Sequence, residues 1–146
     1  MNHRQKQLVR QTWAQVVPIG DQAAALFYGR LFAIDPGTRE LFAHTDMIQQ
    51  RKKLLQVIAV AVSALDNLGP LTKTVEDLGR RHAGYGVKDE HYDSVGAALL
   101  WTLENGLGQA WTPEVAAAWT ELYGLLSGIM RRAQQVAAFE LSRPAA

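Results

Sequence analysis

The chain has no cysteine among its 146 residues. That excludes disulfides, thiolate metal sites, iron–sulfur clusters and thiol catalysis, and it fits a reducing cytoplasm. No apolar run approaches the roughly 20 residues of a membrane span. The N-terminal stretch MNHRQKQLVRQTW has no signal-peptide core, so a cytoplasmic protein without a membrane segment is expected. Charge of one sign is also missing: 15 basic residues face 14 acidic ones, for a net charge of +1. The basic clusters at 51–53, 80–81 and 131–132 are interleaved with acids, so they read as solvated helix faces and no nucleic-acid partner is expected. No GxSxG, HExxH or glycine-rich phosphate loop occurs, and the four histidines never pair at helical ligand spacing. Internal repeats are absent, as is any segment of period-two alternation.

What is present is helical periodicity, nearly end to end. A chain of this length forms one domain, here residues 1–146 with a loose tail over about 140–146. Leu8, Val9, Thr12, Trp13 and Val16 form a first stripe, broken at Pro18 and Gly20. Asp21 is expected to cap a helix running to Ile34, with Phe27, Tyr28 and Leu31 inside. Asp35-Pro36 opens a short helix to Leu41, and 42–45 reads as a corner. Further helices are expected over 47–67, 71–82, 89–107 (capped by Asp89) and 112–139. The fold class is all-α, with about seven helices of unequal length, which argues against a plain four-helix bundle. The four tryptophans read as core and corner packing, so a monomer or weak homo-oligomer is expected.

His82 interrupts this bland pattern. Leu71, Val75 and Leu78 precede it in steps of four, three and four, so an imidazole ends the buried stripe of its helix. A core histidine with one ring nitrogen on a backbone carbonyl is one reading. Haem iron, which needs only one protein histidine, is another. It requires a polar group on an opposing helix, an aromatic brace and an apolar slot. Gln50 lies one turn before Leu54, Val57, Ile58 and Ala61 follow on the same sector, Phe42 sits at the corner, and Tyr28 puts a hydroxyl on a buried face. His44 reads as a solvated corner residue and His91 as structural or exposed.

The order of motifs then becomes specific. Trp13, LFYGRLF at 26–32, Pro36, ELF at 40–42, QRKKLLQV at 50–57, LGRRHAGYGV at 78–87, HYDSVGAALL at 91–100 and AWTELYG at 118–124 form an ordered series. From about residue 7 to about residue 134 the chain resembles the globin family, above all bacterial single-domain haemoglobins related to the globin portion of flavohaemoglobins. The resemblance implies a three-over-three helical sandwich around haem b (iron protoporphyrin IX), with His82 as proximal iron ligand. It places Tyr28 and Gln50 on the distal side. Phe42, Leu54, Val57, Leu78, Val87, Tyr92 and Val95 would line the haem, with Leu78 and Tyr92 also behind His82.

The chain departs from that pattern in two places. Where flavohaemoglobin-like proteins carry a glutamate behind the histidine, this sequence has Gln134, or a neighbour within RRAQQV, so a weaker electron push is expected. No FAD- or NAD-binding domain accompanies the globin portion, so electrons are expected from a separate reductase. The expected ligands are O2, CO and NO. Reversible O2 binding, NO dioxygenation and gas sensing all use such a pocket, and a haem-free globin-like regulator would need no His82 at all.

Overall fold

A computed structural model describes residues 1–142, and among them every regular element is helical. Six α-helices follow in order: α1 His3–Val16, α2 Gly20–Ile34, α3 Met47–Ser63, α4 Leu68–Gly84, α5 Asp89–Leu107 and α6 Pro113–Ser142. The seventh expected helix is a 3₁₀ segment, Pro36–Phe42. Residues 143–146 of the expected tail lie outside the described residues, whereas 140–142 continue α6.

Local chemistry explains the starts. Asn2 accepts from the Gln5 N–H at 2.8 Å while the Gln5 side chain accepts from the Asn2 N–H, which caps α1 reciprocally. Asp46 caps α3 by accepting from the Ile48 N–H at 3.0 Å, and Thr112 accepts from the Val115 N–H to open α6.

Several expected boundaries move. Asp21 is not a cap: the helix already begins at Gly20, and Asp21 pairs with Arg51 of α3 at 3.0 Å. Asp35 makes no side-chain cap. Its carboxylate accepts from Ser94 on α5 instead. Asp89 lies inside α5, and Lys88 precedes it as the N-cap residue. The helix expected over 47–67 ends at Ser63, and the NLGP stretch opens the next helix. Proline is tolerated there because first-turn N–H groups have no intrahelical acceptor anyway.

The helices pack α4 on α6, α2 on α5, α1 on α6 and α2 on α3. One apolar cluster joins α1, α5 and α6 through Val9, Leu103, Trp119 and Leu122, with Trp13 packed against it. The Trp119 Nε1–H donates to Thr12 Oγ1 at 2.9 Å, so the buried indole is satisfied. A second cluster brings α2 and α5 together around Phe27, Tyr28, Leu31 and Ala98. A third joins α3 and α4 through Ala61, Leu71 and Val75, with Leu126, Ile129 and Met130 of α6 packed against it.

The α4–α6 crossing is close because Gly79 has no side chain. A Cβ built there would stand 2.5 Å from the Met130 carbonyl oxygen and 2.9 Å from its Cα. This crossing sets where α4, and with it His82, lies.

Candidate haem site

The buried stripe of α4 runs through Leu71 and Val75 to the half-buried Leu78 and His82. His82 Nδ1–H donates to the Leu78 carbonyl one turn back, at 2.5 Å. That tautomer leaves Nε2 as a lone pair, and Nε2 has no hydrogen-bond partner among the described residues. At the helix end the His82 carbonyl accepts from the Tyr85 N–H at 3.1 Å and the Val87 N–H at 3.4 Å. Gly86 makes this return possible with φ of +77°. Gly84 is an ordinary helical residue.

On the other side, Tyr28 of α2 is buried and Gln50 of α3 half-buried. The Gln50 Nε2–H donates to Tyr28 Oη at 3.1 Å. Phe27 and Phe42 meet the Tyr28 ring edge-on, with centroids at 4.9 and 5.5 Å, and Phe32 lies at 6.1 Å. Leu54 and Val95 pack against the same cluster. Burial raises the Tyr28 pKa above its ordinary value of 10.0, against the opposing effect of the Gln50 hydrogen bond. The phenol therefore stays a protonated donor at neutral pH.

Behind His82, the Tyr92 ring lies 6.1 Å away. Its O–H donates to Gln134 Oε1 at 2.5 Å, and Gln134 Nε2–H donates to the Val87 carbonyl. Two neighbours here carry no signal in single-sequence periodicity. Tyr123 donates its O–H to the Tyr92 carbonyl at 2.5 Å, with its ring against Gly96. Arg131 pairs with Asp93 at 2.6 Å and Asp89 at 3.3 Å, with its guanidinium 5.1 Å from the Tyr92 ring centroid. Arg131 and Gln134 are three apart on α6 and so share a face, which was the one available hint.

The structure thus brings Tyr28, Gln50, Phe42, Leu54 and Val95 together. It joins His82 with Leu78, and Tyr92 with Gln134 and Val87. Val57 is half-buried on α3, outside the three core clusters. Ile58 and Ala61 serve the core instead. His44 is exposed, and His91 accepts from the Lys88 N–H at 2.9 Å, a structural role.

Burial raises Tyr92 to about 12. Its unfolded phenol ionises near 10, two units lower, so the stability tied to the neutral ring is complete below pH 10 and is lost as pH rises to about 12. Urea titrations at pH 8 and 11 should show a larger loss for wild type than for Tyr92→Phe. Equal losses would remove Tyr92 as a contributor.

This geometry suits a haem. An imidazole tied through Nδ1 to a carbonyl is the form that offers Nε2 to a metal. Leu54, Val57, Leu78, Val87 and Val95 are apolar yet only partly covered by protein, and a flat apolar group would complete their burial. No cluster of three His, Asp or Glu side chains among the described residues offers an alternative metal cage.

The sequence model of the globin family matches residues 25–130. The chain belongs to the globin family. Haem-based gas binding is the property of that family. A neuroglobin from Tetraodon nigroviridis is 30% identical over 145 residues, covering 90% of this chain and 91% of that protein. A flavohemoprotein from Bacillus subtilis is 29% identical over 129 residues, covering 87% of this chain but 32% of that protein, so the match spans about a third of its length. Among solved structures, a bacterial globin from Campylobacter jejuni superposes with a TM-score of 0.81 at 25% identity, covering 92% of this globin and 97% of the other. No helix among the described residues is long and apolar enough to cross a membrane.

Proposed function

We propose that this globin is a cytoplasmic haemoprotein that binds haem b through His82 Nε2 and holds O2 reversibly and tightly. The observation that carries the proposal is the Gln50–Tyr28 hydrogen bond between α3 and α2. When bound, haem would supply an iron able to take one diatomic gas.

The rest follows from side chains. His82 is fixed in rotation and tautomer by the Leu78 carbonyl. Tyr28 Oη accepts from Gln50, so its own hydrogen is free for a gas ligand, and Gln50 restricts the phenol to that role. The α3 segment MIQQRKKLLQVIAVAVS holds no histidine, so no imidazole from that helix competes for the open position. Phe42, Leu54, Val57, Val87 and Val95 would line the haem faces and edges, and Tyr92 with Gln134 would stand behind His82. CO and NO are expected at the same position.

A second reading, NO dioxygenation with electrons from a separate reductase, is favoured by the similarity to a flavohemoprotein. The two readings separate when haem-loaded protein in air receives repeated NO additions, with and without a cell extract as electron donor. The expected result is one rapid oxidation per haem and slow recovery with the extract. Sustained NO consumption with extract would replace O2 holding by enzymatic turnover.

A further inference from the structure

We infer that Gln134 is a positioning residue: a neutral latch on α6 that fixes the 85–88 corner and Tyr92 around the end of α4 that carries His82. Its functional meaning rests on the haem reading of His82, although the latch itself is a property of the polypeptide alone.

The amide meets two partners of opposite kind. Its oxygen accepts from the Tyr92 hydroxyl, and its NH2 donates to the Val87 carbonyl. Val87 in turn donates its N–H to the His82 carbonyl. A continuous run of hydrogen bonds therefore leads from α6, through one corner residue, to the backbone of His82. The second arm runs through Tyr92, whose ring stands 6.1 Å from the imidazole at 32°. Tyr92 is further held by Tyr123 at its carbonyl and by Arg131 over its ring.

Among side chains of this length, an amide alone combines an acceptor with donors at all pH values. A carboxylate at 134 could still accept from Tyr92, but it has no hydrogen for Val87 and would set oxygen against oxygen. Leucine offers neither bond. The imidazole N–H is already taken by the Leu78 carbonyl, so Gln134 acts on the position of His82 and not on its ring proton.

The test is amide hydrogen exchange across residues 85–88, before and after haem loading, in wild type, Gln134→Leu, Gln134→Glu and Tyr92→Phe. Both Gln134 variants should speed exchange there by about 5- to 30-fold. Tyr92→Phe, which keeps the Val87 bond, should change it less. In the ferrous, haem-loaded protein the iron–histidine stretching band should shift or broaden in Gln134→Leu, an effect that general destabilisation does not produce. Wild-type exchange in Gln134→Leu would overturn the latch. Wild-type exchange in Gln134→Glu alone would overturn its required neutrality. Failure of the haem reading would show separately, as a missing Soret band in wild type, while the exchange comparison without haem stands.

Discussion

Gly79→Ala should destabilise the protein by about 2 kcal/mol, although alanine is the better helix former by about 1 kcal/mol. The added methyl would meet the Met130 backbone oxygen at 2.5 Å and the Met130 Cα at 2.9 Å, atoms that cannot rotate away. Relief requires α4 and α6 to part, which loosens the packing of Leu71 and Val75 against Met130 and Ile129. Gly128→Ala supplies the control. It lies inside α6 with nothing within 4 Å of the new Cβ, so it should gain roughly 0.5–1 kcal/mol. Urea midpoints at constant slope would measure both. A stabilised Gly79→Ala protein would contradict so close an approach of α4 to the Met130 backbone. Because His82 lies three residues along the same helix, haem affinity should fall with stability in this variant.

Tyr28→Phe should raise the O2 dissociation rate by about 10- to 100-fold, the loss of one hydrogen bond to an acceptor that gains negative charge. CO, which draws less charge on binding, should leave only severalfold faster. The substitution is conservative in shape: the ring keeps Phe27, Phe32 and Phe42 as neighbours, so folding should be little affected. It deletes both the hydroxyl donor and the acceptor that holds Gln50. Flash photolysis and stopped-flow displacement give the two rates. Equal O2 rates in wild type and variant would remove Tyr28 from ligand stabilisation.

Helix existence was legible in the sequence because each buried stripe repeats with the helical period, and α1, α2, α5 and α6 lie where those stripes predict. The ends were less legible. NLGP looks like a terminator, yet it starts α4, since a first-turn proline and a helix-ending proline present the same letters. Asp21 looks like a cap but spends its charge on Arg51, a partner 30 residues away.

The site divides in the same manner. The His82–Leu78 bond is local and follows from i, i−4 geometry. The meeting of Tyr28, Phe42, Gln50 and Leu54 was reachable through the globin resemblance. Gly79 against Met130, Tyr123 against Tyr92, and the two-sided bonding of Gln134 depend on how α4, α5 and α6 cross. Nothing in a local window encodes those crossings. In sequence Gln134 stands out only as a missing carboxylate, whereas its amide makes two bonds that a carboxylate could not both make.

The central claim is that His82 Nε2 is the protein's ligand to haem iron. Haem titrated into purified wild type and His82→Gly, followed through the Soret band and the ferrous spectrum, tests it most directly. Wild type should saturate at one haem per chain with a five-coordinate, histidine-ligated ferrous spectrum. His82→Gly should lose that spectrum and regain it with free imidazole. An unchanged ferrous spectrum in His82→Gly would contradict the account.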